Sequence, residues 1–247
     1  MFGRLIRIPA VACVVILQLS ASVVLAGPPY VTDDPEPTDT GHWEVYDFAT
    51  GVRVPRDTTG QAGIDANYGG AEDLQLTAVI PANFQSQGQI GAGDLQLAAK
   101  YRFLHQAEGS SAPDVSFFPR LFIPTAGHQF GPERFSYFLP FWAQEDWGNW
   151  SLFGGGGYDI NPGPGDRNFW LTGMTLARTI SDDLSLGAEI YRQTAALRGE
   201  RTFTGLNLGV TWRLTEHWSL LASGGPGVQH ERQEGEYDFY AALKADY

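Results

Sequence analysis

Adjacent acidic side chains are the first candidates for chemistry in this sequence. Four pairs occur, namely Asp33-Asp34, Glu72-Asp73, Glu145-Asp146 and Asp182-Asp183. General acid–base catalysis needs two carboxylates that converge in a pocket and differ in pKa. Each pair falls in the N-terminal tail or in a tight turn, where carboxylates are normally solvated. The pairs therefore do not indicate a catalytic centre.

The remaining chemical signals are also weak. Metal sites usually show clustered ligands, whereas the five histidines are scattered and lack a cysteine partner: His42, His105, His128, His217 and His230. The glycine run in "LFGGGGYD" has no lysine after it and lies in a strand pattern, so it makes room for large neighbours or bends a wall rather than binding phosphate. The sequence predicts no catalytic residue, no metal and no cofactor.

Polar residues that alternate with apolar ones carry more information. In "GDLQLAAKYRF" the apolar positions occupy one face of a strand and the polar positions the other. "LSLGAEIY", "TGLNLGVTWRL" and the final "YDFYAALKADY" repeat the pattern. We expect the polar face to line an interior, through Asp94, Gln96, Lys100, Arg102, Glu189, Asn207, Thr211, Arg213, Lys244 and Asp246. This set is either an internally paired network that nearly fills the interior or a lining that selects solutes.

The elements that position these residues are strands of unusual length. About twelve are predicted, most with about 9–13 residues, which is close to the span of a tilted transmembrane strand. Their predicted ranges are 43–53, 61–69, 73–81, 92–104, 114–124, 134–145, 148–158, 168–180, 183–193, 202–214, 217–225 and 236–247. In "NFWLTGMTLARTI" both faces are apolar, so the inward face is not assigned. No stretch after the leader is long and apolar enough to predict a transmembrane helix.

The connections between these strands alternate in kind. Tight turns such as "GGAED", "EDWGN", "SDD" and "TEH" alternate with longer loops such as "PRDTTG", "NFQSQGQIGA" and "NPGPGDRN"; "HQAEGSSAPD" breaks the alternation. Short periplasmic turns and long external loops are typical of outer-membrane barrels. The predicted fold is therefore all-β, an antiparallel transmembrane β-barrel of about twelve strands with long extracellular loops and short periplasmic turns.

Aromatic residues near the predicted strand ends fit the belts found at the lipid–water boundary. They are Trp43, Tyr68, Phe103, Trp147, Trp150, Trp170, Trp218 and Tyr247. Ordinary core packing is the alternative interpretation for any one of them. A soluble sandwich would have shorter strands and no alternation of short and long connections.

The N-terminus has the pattern of a secretory signal peptide, with Arg4 and Arg7 before an apolar stretch that ends in Val24-Leu25-Ala26. Cleavage after Ala26 would remove the single cysteine, Cys13, and leave a chain more acidic than the formal net charge of −12. Such a chain is a poor partner for nucleic acid. We predict a signal peptide at 1–26, an N-terminal periplasmic segment at 27–41 and an outer-membrane barrel at 42–247.

The final strand is apolar at alternate positions up to the last residue. A strand that closes a barrel in lipid has no unpaired edge. Chains of this class resemble one another in ending on an aromatic residue that the outer-membrane assembly machinery recognises. Phe239, Leu243 and Tyr247 match that assembly signal.

The start "AGPPYVTDDPEPTDTGHWEVYDF" resembles the opening of the outer-membrane family named after the MetA pathway of phenol degradation. The matching residues are Pro28, Pro29, Thr32, Asp33, Asp34, Pro35, Gly41, His42, Trp43 and Glu44. "FIPTAG" resembles the family's Pro-Thr-Gly segment, with Ala126 interrupting it. The resemblance implies a transporter-like barrel that is sometimes associated with the breakdown of aromatic compounds, and it supplies no catalytic residue. It also suggests a contact for Asp33 and Asp34 at the periplasmic mouth, with an assembly factor or a cation.

We expect a monomeric barrel in the outer membrane that lets small molecules pass passively, aromatic or otherwise hydrophobic ones among them. About twelve strands leave an interior between the filled eight-stranded case and the open porins, which favours a narrow passage. Its expected partners are the lipid bilayer, the outer-membrane assembly machinery and an unidentified small solute. The alternatives are a structural or surface-interaction barrel and a membrane-embedded hydrolase, the latter without a His-x-Ser-Asn or Gly-x-Ser-x-Gly segment.

Overall fold

The computed structural model describes residues 28–55, 57–86, 88–107, 111–127, 130–131, 133–228 and 236–247. The predicted signal peptide lies outside these residues. The strands are β1 (Trp43–Val54), β2 (Asp57–Ala71), β3 (Leu74–Gln85), β4 (Gln89–Ala92), β5 (Leu95–Leu104), β6 (Asp114–Phe117), β7 (Arg120–Ile123), β8 (Ser136–Trp147), β9 (Trp150–Ile160), β10 (Phe169–Ser181), β11 (Leu184–Gln193), β12 (Phe203–Arg213), β13 (Trp218–Pro226) and β14 (Tyr237–Asp246). None of the described residues forms a helix long and apolar enough to cross a bilayer.

These strands form one closed antiparallel barrel with twelve positions in its wall. The two ends of the chain close it, because β1 pairs with β14 from Glu44 opposite Asp246 to Arg53 opposite Tyr237. Both β4 and β5 pair with β3, and both β6 and β7 lie between β5 and β8. Each of these two pairs therefore acts as one interrupted strand. The prediction of an all-β barrel of about twelve strands is confirmed.

The interruptions have local causes in the sequence. Gly93 and Asp94 separate β4 from β5, and Gly93 still donates its backbone N–H to Pro81 at 2.9 Å. Phe118 and Pro119 separate β6 from β7. Proline has no backbone N–H to give to the ladder, so it breaks the pairing where it stands. The predicted strand 114–124 is therefore two short strands in one wall position.

The two faces of the barrel differ in what covers them. Side chains at one parity are buried in the interior, while large apolar side chains at the other parity are exposed on the outside. The exposed set includes Ile64, Leu76, Ile80, Leu97, Tyr101, Leu139, Phe141, Met174, Leu176, Leu186, Ile190, Leu206, Leu208 and Leu220. An exposed apolar surface of this extent marks a membrane-facing wall. In β10, Phe169 and Leu171 face inward and Trp170 and Met174 outward, which assigns the faces that the sequence left open.

We name the two ends of the barrel by their connections. The short-turn end carries both chain termini and the connections 72–73, 105–113, 148–149, 182–183 and 214–217; the long-loop end carries 55–56, 86–88, 124–135, 161–168, 194–202 and 227–236. Two loops predicted from "PRDTTG" and "NFQSQGQIGA" are mostly strand, because β1, β2 and β3 extend further than their apolar periodicity. The long connection 105–113 lies at the short-turn end, as its sequence suggested.

Most of the predicted aromatic belt lies at the short-turn end. Trp43 and Tyr68 contact each other there, with ring centroids 4.8 Å apart, and Trp147 is paired with Trp150 across the turn between β8 and β9. Trp170 lies towards the other end, with its ring 5.0 Å from Tyr158. Rings of this kind are typical of strand ends at a lipid–water boundary.

Candidate functional site

The segment before β1 lies inside the barrel. It passes the short-turn end where Thr40 forms a parallel bridge with Gly69 and Gly41 donates its backbone N–H to the Gly69 carbonyl at 2.8 Å. Deeper in the lumen, Thr38 donates its backbone N–H to Gln75 Oε1 at 2.9 Å. We call residues 28–38 the lumen segment. Residues 28–38 of the predicted periplasmic segment thus occupy the barrel interior, and 39–41 are exposed at the short-turn end. On which side of a membrane that end lies stays a prediction.

Asp33 fixes the lumen segment to the wall formed by β5 and β7. Its carboxylate accepts Lys100 Nζ at 3.0 Å and Arg120 Nη2 at 2.8 Å, and its side chain is only 2% exposed. Lys100 also contacts Asp34 at 3.3 Å and the Glu36 carbonyl at 3.1 Å. A buried charge is stable only when it is paired, as these are. Desolvation raises the pKa of Asp34, and Lys100 opposes that shift.

Glu189 of β11 fixes the same segment from another wall. Its carboxylate accepts the backbone N–H of Thr32 at 2.5 Å and that of Val31 at 3.2 Å. Asn207 then donates to Glu189 at 2.9 Å and to Asp238 at 2.8 Å. A carboxylate that accepts several N–H groups gains charge-assisted hydrogen bonds, which are stronger than neutral ones.

Two glycines in the wall leave room for the ring of Tyr30. Added Cβ atoms at Gly187 of β11 and Gly209 of β12 would collide with the Tyr30 ring. Tyr30 is 8% exposed, and its ring lies 5.9 Å from that of Phe153. Glycine permits such close approach because it has no Cβ. The wall at these two glycines is therefore complementary in shape to the lumen segment, in addition to the charged contacts that hold it.

The lumen segment crosses the whole interior. In the closed ring β7 and β13 occupy opposite positions; Asp33 is bound to Arg120 on β7, and Ser223 on β13 donates to the Pro29 carbonyl. Gln75 on β3 and Glu189 on β11 are likewise opposite one another and both hold the segment. The segment is therefore anchored to facing walls and obstructs the lumen between them.

Aromatic side chains fill much of the rest of the interior. One buried cluster contains Phe118, Phe138, Trp142, Phe169, Leu171, Tyr191 and Ala196, and a second contains Tyr46, Phe48, Val79, Leu221, Tyr240 and Ala242. Lys100 Nζ and the Arg120 guanidinium both lie over the Phe118 ring, at 4.9 and 4.4 Å from its centroid. The first cluster therefore adjoins the charged contact with Asp33.

The ten residues predicted to line the interior fall into two groups. Gln96, Lys100, Glu189 and Asn207 are all buried, at 2–4% exposure, and the last three belong to the networks that hold the lumen segment. Lys244 is half-buried and pairs with Glu44 and Asp246 at 3.3 and 2.9 Å. That they line a solute path stays a prediction.

The other predicted positions serve the ends of the wall. Arg102 pairs with Asp73 at 3.0 Å and Arg213 with Asp183 at 2.9 Å, both at short turns. Asp94 accepts the backbone N–H of Ala126 at 2.9 Å and so holds the connection after β7. Thr211 is half-buried in β12. In the described part of the chain these side chains make no hydrogen bond to the lumen segment, and Arg102 acts on it through its charge alone, at Glu36.

Sequence reasoning missed Arg120 and the inward-facing aromatic residues. Arg120 is the single charged residue in the predicted strand 114–124 outside its first position, and an isolated charge in an apolar strand is a signal for a buried partner. The aromatic residues were also visible, because "SYFLPFWAQ" is apolar at both parities. A transmembrane strand that is apolar on both faces must bury one face in the lumen.

The other predicted positions can be located without testing their roles. Phe239, Leu243 and Tyr247 lie on the outward parity of β14, where Leu243 and Tyr247 are exposed; recognition by the assembly machinery stays a prediction. Asp33, expected to meet an assembly factor or a cation, is occupied by Lys100 and Arg120. Within the described ranges no group of three or more His, Cys, Asp or Glu side chains could hold a metal ion.

A family comparison decides where the sequence belongs. The profile of the family described as "Putative MetA-pathway of phenol degradation" matches residues 15–240. The chain belongs to this family. The family resemblance noted in the N-terminal motif is thereby confirmed over most of the chain. The first part of that motif, from Pro28 to Pro35, lies in the lumen, and its last residues, Trp43 and Glu44, begin β1. Comparison with curated proteins gives no match.

Solved structures share the fold of this MetA-pathway family member. The COG4313 outer membrane channel from Pseudomonas putida F1 is 14% identical, with a TM-score of 0.67 over 87% of this chain and 98% of that one. The NanC porin is 11% identical, with a TM-score of 0.56 over 80% and 98%. The translocator domain of the autotransporter NalP from Neisseria meningitidis is 13% identical, with a TM-score of 0.54 over 84% and 89%. The fold is that of outer-membrane β-barrels.

Proposed function

We propose that this protein is an outer-membrane channel for passive passage of small molecules, aromatic or otherwise hydrophobic ones among them. The observation that carries the proposal is the pairing of an apolar outer wall with an interior lined by aromatic side chains. A transmembrane barrel usually has a polar interior. Besides its polar groups, this interior presents Phe138 and Trp142 from β8 and Phe169 from β10, each at most 1% exposed, on the two strands that flank β9.

Unpaired polar atoms among these rings support a solute with its own polar group. Ser116 and Trp142 lie directly opposite each other in the ladder between β6 and β8. Ser116 Oγ and Trp142 Nε1 are buried without a hydrogen-bond partner in the described part of the chain. Buried polar groups are normally paired, and a hydroxylated ring would supply partners for both atoms together with a matching apolar face.

The lumen segment blocks the proposed passage as long as it stays in place. It contacts facing walls and leaves a polar cavity of only about 70 Å³ beside it. An apolar cavity that binds benzene has a volume of about 150 Å³. Passage of a ring therefore requires the segment to move, and the state described here is the closed one.

Reconstitution tests the proposal. The purified mature chain, checked for a barrel by the mobility difference between boiled and unboiled samples, should speed the entry of phenol and benzyl alcohol, relative to a disaccharide, into liposomes whose outer leaflet is lipopolysaccharide, which phenol crosses slowly by itself. Heat-unfolded protein in the same liposomes is the control. A folded barrel that speeds the entry of no solute and carries no current in planar bilayers would overturn the channel proposal and leave the fold untouched.

A further inference from the structure

The contact between Asp33 and the wall has the form of a ligand in a binding site. We infer that Lys100, Arg120 and the Phe118 ring form a site for small aromatic carboxylates, which Asp33 of the lumen segment occupies in the closed state. The inference rests on the proposed function in so far as such an acid would be a solute of the channel. It also specifies the chemical class of that solute.

The cationic part of the site is preformed by the wall. Lys100 on β5 and Arg120 on β7 approach the two oxygens of one carboxylate, Oδ1 at 3.0 Å and Oδ2 at 2.8 Å. Two cations on one carboxylate give both position and orientation. Because both cations come from the wall, they stay in place if the lumen segment leaves.

The apolar part of the site adjoins the cations. Phe118 lies beneath both charged groups and belongs to the aromatic cluster with Phe138 and Trp142. A ring attached to a carboxylate would therefore find aromatic neighbours where its charge is bound. Arg120 Nε and Gln96 Oε1, which have no partner within the described residues, line the same cavity and leave hydrogen-bonding capacity for a further substituent.

The charge balance explains why the segment competes with a solute. Residues 28–38 contain three acids, Asp33, Asp34 and Glu36, and no basic residue. Withdrawal of the segment removes these three negative charges from the cavity, whose wall then keeps Lys100 and Arg120 against Glu44 and Asp65. Glu44 is already paired with Lys244. The lumen is therefore most attractive to an anion once the segment has withdrawn.

Benzoate is the probe for the test, with benzamide as its uncharged analogue and acetate as its counterpart without a ring. Binding is measured by calorimetry on the full mature chain in detergent micelles. Asp33→Asn removes the internal competitor while keeping the side-chain shape, so the variant should bind benzoate roughly tenfold more tightly, because a competent state that is rarely populated lowers apparent affinity. Asp39→Asn, on the same stretch but exposed and without a charged partner among the described residues, should bind as the unmodified chain does.

A second variant separates loss of the site from loss of the fold. In Asp33→Asn/Lys100→Gln, benzoate binding should fall back by at least about tenfold while the unboiled sample keeps its barrel mobility. Benzoate binding no stronger than that of benzamide, or unchanged by Lys100→Gln, overturns the inference. Acetate binding equal to that of benzoate overturns its aromatic part.

The inference and the channel proposal fail separately. If the folded barrel speeds phenol entry above the heat-unfolded control but benzoate does not bind, the carboxylate site is wrong and the channel stands. If benzoate binds but no solute enters, the channel is wrong and the site stands.

Discussion

Arg120 Nη2 lies 2.8 Å from a carboxylate oxygen of Asp33, across 87 positions of sequence. This pair joins the N-terminal segment to the wall. Lys100 binds the same carboxylate, so Asp33 is shared by two cations. Removing one member of a buried ion pair leaves an uncompensated charge, which is far more destabilising than the pair is stabilising. The closed state therefore depends on these polar contacts together with the packing of Tyr30 against the wall.

Loosening the Glu189 anchor should expose the lumen segment. In Glu189→Gln the acceptor for the Val31 and Thr32 N–H groups loses its charge. Hydrogen bonds to charged groups contribute about 1.5–3 kcal/mol, so the segment should open roughly tenfold or more often. With Val31→Cys in a chain that is produced from residue 27 onward and so lacks Cys13, the new thiol should react with a maleimide correspondingly faster. Glu216→Gln, in an exposed turn, is the matched control; equal labelling rates in the two variants would contradict the anchor.

Filling the Tyr30 pocket should displace the segment sterically. Gly209→Val would collide with the Tyr30 ring, and overpacking of this kind costs about 1–3 kcal/mol. Tyr30→Ala should relieve the collision, so the two changes together should destabilise less than the sum of each alone. The measurement is the midpoint of urea unfolding in lipid vesicles. Gly70→Val, where a Cβ would meet only ordinary contacts at 3.4 Å or more, is the control, and strict additivity would refute the pocket.

The outer wall should tolerate charge according to depth. Leu208 lies at the centre of β12 and is 72% exposed, whereas Leu214 follows the end of that strand and is 46% exposed. An arginine on the lipid face costs about 2–4 kcal/mol at the midplane and about 0–1 near the interface. Leu208→Arg should therefore lower the free energy of unfolding in vesicles much more than Leu214→Arg. Equal effects would mean that hydrocarbon does not cover this face.

The pH should influence the closed state through Glu36, which lies in the lumen segment outside the spanning strands. Desolvation first, and the charges of Asp34, Asp146 and Asp114 after it, raise the pKa of Glu36 to about 7, while Arg102 opposes the shift. One side of Glu36 is exposed to water, so the effect is modest. The docked state then binds more protons than the released one between about pH 4.5 and 7, and docking weakens as the pH rises through that window.

Conductance in planar bilayers at pH 5 and pH 8 checks the Glu36 prediction. The unmodified chain should conduct more at pH 8, and Glu36→Gln should remove most of the difference. Asp39→Asn should retain it. An opposite dependence, with more current at pH 5, would show that another group controls docking.

The strands of the barrel wall were largely predictable from the sequence. The segment and the aromatic side chains that fill the lumen were not. Alternation at period two gave the strand count and the outward face, since hydrocarbon selects apolar residues at every second position of β5, β11 and β12. The position of Asp33 could not be predicted, because the segment has no periodicity and its partner Arg120 is distant in sequence. Two loop boundaries were wrong because β1 to β3 continue beyond the apolar belt. There both faces of a strand contact water, so apolar residues no longer alternate with polar ones and the strand cannot be recognised from its sequence.

The glycines of β9 have a consequence for how β8 finds its partner. In most strands a shift of the pairing register by one residue would move apolar side chains from the lipid face to the lumen. Strand β8 is apolar at both parities around Phe138–Trp142, so a register shift there costs little solvation free energy. Steric fit must do so: Pro140, Phe141 and Trp142 lie opposite Gly157, Gly156 and Gly155. A misaligned β8 would thus be excluded by steric clashes with β9 rather than by the cost of solvation. Bulkier residues in place of the β9 glycines should therefore produce alternative strand registers more readily than unfolding.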